Sequence, residues 1–142
     1  MNEQRQALLD DGFAAWNRHD ASAIAALFPS GAVLRTVATG EVTRGRQKIR
    51  TLVEGRLQAF PDWRLDRQSM YDCDNAVCVE WLLTGTHTGE FMGIPPTQNS
   101  IELPGCSIFK FGPEGPLTEE IVYFDIATIL RQLGVLPEPN AA

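Results

Sequence analysis

The residues that most constrain the fold are 118–133, where the spacing of apolar side chains changes within one continuous stretch. Residues 118–124 are rich in β-branched and aromatic side chains, which favours a strand. Directly after this stretch, apolar residues recur at the spacing of one helix face: Ile126, Ile129, Leu130 and Leu133. The sequence therefore predicts a strand that runs straight into an amphipathic helix, with Asp125 at the junction.

Asp125 has two interpretations. Ile121, Tyr123 and Asp125 share one face of the predicted strand, so a cavity on that face would desolvate the carboxyl and suit it to acid/base catalysis. Asp is also a preferred residue at a helix N-cap, where its side chain accepts hydrogen bonds from the amides of the first turn. The two interpretations are compatible.

The length and composition indicate one globular domain. A chain of 142 residues suits a single core, and 44% hydrophobic with 21% charged residues is typical of globular proteins. We expect one domain over residues 1–142, with 137–142 as a flexible tail. No apolar run approaches the roughly 20 residues of a spanning helix, and the N-terminus lacks a signal-peptide pattern. We therefore expect a cytoplasmic protein with no membrane partner.

Several classes of partner and cofactor are disfavoured by charge and motif content. The net charge of −6 argues against a nucleic-acid surface, which needs a positive stripe. The three cysteines match no zinc spacing, and the two histidines lie too far apart in sequence to form a close ligand pair, so no metal is expected. The sequence also lacks the glycine-rich fingerprints of dinucleotide and nucleotide sites, so no cofactor is expected.

The order of the remaining patterns indicates an α+β domain. Helical periodicity covers about 3–18, a short segment between Asp20 and Pro29, and about 46–59. A short strand is predicted at 32–37, followed by a loop that reaches the third helix. Later strand patterns begin at Trp63 and cover about 63–71, 76–86, 100–111 and 118–124. We expect a strongly curved antiparallel sheet that wraps around the N-terminal helices and leaves a cavity.

The loop at 85–96 contributes candidate site residues. Histidine is the side chain whose ordinary charge change falls near neutrality, so His87 could donate to an enolate oxygen or reprotonate a product. It could equally be a turn histidine bonded to the backbone of Gly89 or Glu90. An apolar wall for a flat ligand is predicted from the large side chains near the cavity, although Trp81 suits the core as well. These wall residues are Trp16, Trp81, Phe91, Met92 and Tyr123.

Four short motifs resemble those of a known family. They are Trp16-x-x-His19-Asp20, the turn 59–62, the loop 85–89 followed by Gly93-Ile94-Pro95-Pro96, and Asp125 followed by Gln132-Leu133-Gly134. This pattern, over about Ala7 to Leu136, resembles the SnoaL-like polyketide cyclase (ester cyclase) family of the NTF2-like superfamily. The resemblance implies a cone-shaped α+β barrel, cofactor-free chemistry, and an acid/base aspartate at the position of Asp125. Characterised cyclases also use polar groups on the penultimate strand, where this chain has Gly105, Cys106 and Ser107.

These observations predict two classes of function. The first is a cofactor-independent cyclase or isomerase for a hydrophobic, polyketide-like carbonyl compound, by an intramolecular aldol type of reaction. Such a step needs a base near an α-proton and a donor near the developing oxyanion. The second is a non-catalytic module whose cavity only binds a small molecule. Because the strand at 76–83 is apolar on both faces, we also expect a homodimer.

Overall fold

The computed structural model describes residues 1–113 and 115–139. Within them the helices are α1 (Glu3–Asn17), α2 (Ala21–Ala26), α3 (Arg46–Ala59) and α4 (Ile126–Gln132). The strands are β1 (Val33–Thr36), β2 (Glu41–Arg44), β3 (Arg64–Asp72), β4 (Ala76–Thr86), β5 (Ser100–Phe111) and β6 (Leu117–Phe124). This order confirms the predicted α+β class. Part of the expected tail, residues 140–142, lies outside the described residues.

All six strands form one curved sheet in the order β2-β1-β6-β5-β4-β3. The meander from β3 to β6 is antiparallel as predicted, and β1 joins β6 in parallel. Parallel neighbours need a long crossover, and the chain from β2 through α3 and β3–β5 supplies it. In the described residues β2 and β3 remain at opposite edges, so the sheet curves without closing into a barrel.

The core lies between the helices and the concave face of this sheet. Leu9 and Phe13 of α1 and Ile49 and Val53 of α3 are buried in one cluster with the inward residues of the strands. On β4 the inward residues alternate with outward ones, as the sequence predicts: Val77, Val79, Trp81 and Leu83. Because successive side chains of a strand point to opposite faces, Trp81 points towards the space beneath the helices.

Two amide side chains fasten the helices to the sheet. Asn17, at the end of α1, donates from Nδ2 to the Leu65 carbonyl at 2.9 Å and accepts from the Leu65 amide at 2.7 Å. Gln132 of α4 makes the same pair of bonds with Glu102, at 3.0 and 2.8 Å. Each side chain satisfies both backbone groups of one strand residue, as a neighbouring strand would. These bonds fix the positions of Trp16 and Ile129 above the sheet.

The family-like motif at 85–89 ties the end of β4 to the end of α3. Asp62 accepts from the amide and hydroxyl of Thr86, at 2.7 and 2.8 Å. The amides of Thr88 and Gly89 donate to the Ala59 carbonyl at 3.0 and 3.2 Å. A Cβ on Gly89 would lie 2.2 Å from the Gln58 carbonyl oxygen, so only glycine allows this approach. The motif therefore has a structural role in closing this side of the core.

Candidate functional site

A mostly apolar main cavity of about 90 Å³ lies between α1, α3 and the sheet. A second cavity of about 40 Å³ lies next to it, towards α1 and α2. Five residues border both spaces and therefore form the boundary between them: Trp16, Leu65, Trp81, Ser107 and Glu120. Glu120 is the only carboxylic acid among these five residues. It is also the only carboxylic acid among the described residues that line the main cavity.

The inward face of β6 carries Glu120, Val122 and Phe124, all of which line the main cavity. Cross-strand neighbours share a face of the sheet, and Glu120 pairs with the cavity residue Leu34 of β1. The sequence analysis placed the odd-numbered residues of this strand on the cavity side, and that choice of face was wrong. A shift of one residue exchanges the two faces completely.

Burial changes the acidity of Glu120. Its side chain is half-buried and lines both cavities. Desolvation of the charged form raises the pKa of Glu120 from 4.5 to about 7, while a hydrogen bond from Ser107 acts in the opposite direction. The carboxyl is therefore able to exchange a proton near neutral pH.

A short chain of hydrogen bonds orients this carboxyl. The indole Nε1 of Trp81 donates to Ser107 Oγ at 3.1 Å. Since the hydroxyl has one proton and accepts from the indole, that proton is free for Glu120. Gly105 makes the arrangement possible, because a Cβ there would lie 2.3 Å from the Cη2 atom of Trp81. The ring of Trp81 therefore lies directly against β5, with its N–H towards Ser107.

The opposite wall of the main cavity is aromatic. Trp16 and Trp63 stack with their ring centroids 4.7 Å apart and their planes inclined by 18°. Phe60 contacts Phe91 edge to face at 5.5 Å. The guanidinium of Arg56 lies 5.2 Å from the centre of the Phe91 ring and also lines the cavity. These side chains make a flat, apolar surface suited to a ring compound.

Arg56 is bound on its outer side. Its Nη2 lies 2.7 Å from Glu41 Oε1, and this carboxylate also accepts from the Thr39 hydroxyl at 2.7 Å. The ion pair neutralises the guanidinium near the cavity. It also holds the end of α3 against β2, which was expected to be a loop.

Three of the predicted wall residues line the main cavity: Trp16, Trp81 and Phe91. Phe91 belongs to the loop at 85–96, but it is only 4% exposed and is part of the core. A tight turn through Met92 and Gly93, both with positive φ, pairs Phe91 with Ile94 and directs the ring inwards. The structure places Met92 and Tyr123 outside the cavity, with 48% and 42% of their surface exposed.

Asp125 is the N-cap of α4. Its Oδ2 accepts from the amide of Thr128 at 3.1 Å and from the Thr128 hydroxyl at 2.6 Å, and Arg131 lies 3.9 Å away. The side chain is 65% exposed. The hydrogen bond from the Thr128 side chain holds the pKa of Asp125 below its ordinary value. The expected desolvation and raised pKa were therefore wrong, and the capping interpretation describes what the carboxylate does here.

His87 is completely buried but does not line the main cavity. Its Nδ1 lies 3.2 Å from the backbone nitrogen of Thr97 and 2.9 Å from the Thr97 hydroxyl. A backbone N–H can only donate, so Nδ1 is the acceptor and the ring proton sits on Nε2. The partner is thus Thr97 instead of the expected Gly89 or Glu90. The structure does not bring His87 and Asp125 together with the wall residues.

Glu120 is the site residue that the sequence analysis missed. Two consecutive acids, Glu119 and Glu120, stand in the middle of a β-branched strand, so one of them must face the interior. The sequence therefore indicates that one acid of this pair faces inwards, but the alternation alone does not say whether it is Glu119 or Glu120. Glu119 faces outwards, where its Oε2 lies 3.0 Å from Arg35 Nη2.

The described part of the chain contains no group of three or more His, Cys, Asp or Glu side chains placed to hold a metal ion. No helix in the described residues is long and apolar enough to cross a membrane. The sequence model of SnoaL-like polyketide cyclases matches residues 8–133. The chain belongs to the SnoaL-like polyketide cyclase family. Comparison with curated protein sequences gives no significant match.

Solved structures agree with this assignment. AclR from Streptomyces galilaeus, for which a hydroxylase role has been suggested, is 30% identical with a TM-score of 0.81, over 96% of this chain and 89% of AclR. IdmH from Streptomyces antibioticus, a proposed polyketide cyclase, is 25% identical with a TM-score of 0.75, over 94% of this chain and 100% of IdmH. A protein from Catenulispora acidiphila with a ketosteroid isomerase-like fold is 18% identical, with a TM-score of 0.78 over 92% and 93% of the two chains. These likenesses confirm the NTF2-like fold.

Proposed function

We propose that this member of the family is a cofactor-independent cyclase or isomerase acting on a hydrophobic carbonyl compound, with Glu120 as the general acid/base. The observation that carries the proposal is a carboxyl inside an apolar cavity whose pKa is raised to about 7. A catalytic acid/base works best when its pKa lies near the working pH, and burial is the usual means of raising that of a glutamate. The likeness to IdmH, a proposed polyketide cyclase, supports the same class of reaction.

The chemistry follows from the position of Glu120. As a carboxylate it takes a proton from the carbon next to a substrate carbonyl, and burial favours the neutral carboxyl that results. The carbanion then attacks a second carbonyl carbon of the same molecule. Glu120 returns its proton to the oxygen of that carbonyl, so that one C–H bond and the π bond of the attacked carbonyl are exchanged for one C–C and one O–H bond. Ser107 keeps the carboxyl oriented through both transfers.

Asp125 remains the alternative base, because the family resemblance assigns it that role. Its carboxylate already accepts two hydrogen bonds from Thr128 and faces solvent, both of which weaken it as a base. Glu120 lies in the cavity, and its pKa stays raised although it accepts a hydrogen bond from Ser107. His87 could take part only after leaving its bonds to Thr97.

The test uses a ketone with acidic α-protons, 2-tetralone, in deuterated buffer, with NMR detection of the loss of α-protons. The wild type is expected to exchange them faster than buffer alone. Glu120→Gln should lose roughly 10²–10⁴-fold of the protein-catalysed rate. Glu119→Gln is the matched control, since it removes a carboxyl from the opposite face of the same strand.

Two results would contradict the proposal in different ways. Equal exchange by the wild type and Glu120→Gln would remove Glu120 as the base, and loss of exchange in Asp125→Asn would then favour Asp125. Binding of the ketone without any accelerated exchange would favour the non-catalytic binding module.

A further inference from the structure

Trp63 has a polar atom without a partner. Its indole Nε1 is buried and makes no hydrogen bond within the described residues. A buried donor left unpaired costs free energy, and most such groups in proteins have a partner. Trp63 also lines the main cavity. Its Nε1 has almost no accessible surface, so a molecule in the cavity would pair with this proton only if the neighbouring side chains move apart.

The ring of Trp63 is held firmly in place. It stacks on Trp16 at 4.7 Å, and its own backbone is fixed at both polar groups. The Trp63 amide donates to the Phe60 carbonyl at 3.0 Å, and the Trp63 carbonyl lies 2.8 Å from His19 Nε2. The stacked and anchored indole cannot readily turn to seek another acceptor. The ring therefore keeps its place in the stack while its N–H stays unpaired within the described residues.

The indole of Trp81, which also lines the cavity, differs from that of Trp63 because its N–H has a partner. Trp81 Nε1 is also buried, but its proton is taken by Ser107. The polar groups at the Glu120 end of the cavity are thus internally paired, whereas the aromatic wall presents one unused donor. A purely hydrocarbon ligand would leave that donor unpaired.

We infer that the Trp63 indole N–H binds an oxygen atom of the substrate, and that the substrate is an apolar ring compound carrying a ketone or ester oxygen at this wall. Trp63 is in this account a specificity-determining residue that positions the ring relative to Glu120. The inference rests on the proposed site, but its test needs only binding and no turnover.

The experiment is a titration of the ¹⁵N-labelled protein with 2-tetralone and, separately, with tetralin, the same ring system without the carbonyl. The chain has 3 tryptophans, so three indole N–H resonances are expected. The resonance absent from Trp63→Phe identifies Trp63. Ketone binding should move it downfield, as a new hydrogen bond does, while tetralin should not.

Affinities for the two ligands provide the second readout. Trp63→Phe should lose roughly 3-fold to 10-fold in affinity for the ketone beyond its loss for tetralin. Trp16→Phe, the matched control in the same stack, should weaken both ligands alike. The inference is overturned if tetralin shifts the resonance as the ketone does, if the variant keeps its preference for the ketone, or if neither ligand binds. Should the variant not fold, the downfield shift of one indole resonance in the wild type still decides.

The two proposals fail separately. Glu120→Gln should retain the ketone-induced shift of Trp63 while losing deuterium exchange. Exchange by the wild type without a Trp63 shift would overturn only the Trp63 inference. A Trp63 shift without exchange would overturn only the catalytic role of Glu120.

Discussion

Replacing Glu120 with Gln should make the protein more stable at alkaline pH, because the substitution removes a buried group that resists ionisation. The pKa of Glu120 is about 7 in the folded chain, against an ordinary value of 4.5. Between these two values the folded state binds more protons than the unfolded state, so the wild-type free energy of unfolding falls as the pH rises. A difference of about 2.5 pKa units corresponds to roughly 3 kcal/mol.

Urea unfolding of both proteins from about pH 4.5 to ~8.5 tests this magnitude. Near the lower end both side chains are neutral, and the two unfolding free energies should differ little. The advantage of the Gln variant should then grow to roughly 3 kcal/mol and level off above about pH 7. Glu119→Gln should not reproduce this growth, because Glu119 is paired with Arg35 on the outer face. A difference that stays constant across the range would refute the burial argument.

Four further predictions concern the glycines, the Asp125 cap, Phe91 and the oligomeric state. Gly105→Ala should destabilise the fold by about 1–3 kcal/mol, because its Cβ would overlap the Trp81 ring; Gly55→Ala, in an open helical position, should instead gain about 0.5–1 kcal/mol in the same melts. Asp125→Asn should leave thermal stability and exchange activity nearly unchanged whereas Asp125→Ala lowers stability, and loss of activity in the Asn variant would contradict the cap role. Phe91→Ala should cost about 3–5 kcal/mol in chemical unfolding, as expected for a core residue; a small cost together with a large loss of ketone binding would contradict this core role. Light scattering should show a homodimer, and a monomer at all micromolar concentrations would count against it.

The helices and the meander could be predicted because their signals are local. The third helix was placed correctly at 46–59 since its apolar spacing and the following Pro61 mark both its face and its end. The short strand β2 was missed, because four residues are too few for an alternating pattern to be distinctive.

The candidate site was harder to predict because it depends on contacts between distant segments. Alternation defines two faces of β6, but only its parallel pairing with β1 shows that the Glu120 face is the interior one. The sequence pattern places Phe91 in a loop, yet the turn through Met92 and Gly93 directs its side chain into the core. The resemblance to the family predicted the fold correctly. Most of the motifs that carried it proved to hold loops and helices in place.

The most direct test of the central claim is the pH dependence of deuterium exchange into 2-tetralone. If Glu120 is the base, the protein-catalysed rate should rise with pH and level off, with its midpoint close to the pKa of about 7 that burial imposes on this carboxyl. Glu119→Gln should give the same profile, and Glu120→Gln should lose the catalysed rate across the whole range. A wild-type profile with its midpoint near the ordinary glutamate value of roughly 4.3, or a full catalysed rate in Glu120→Gln, would contradict the account.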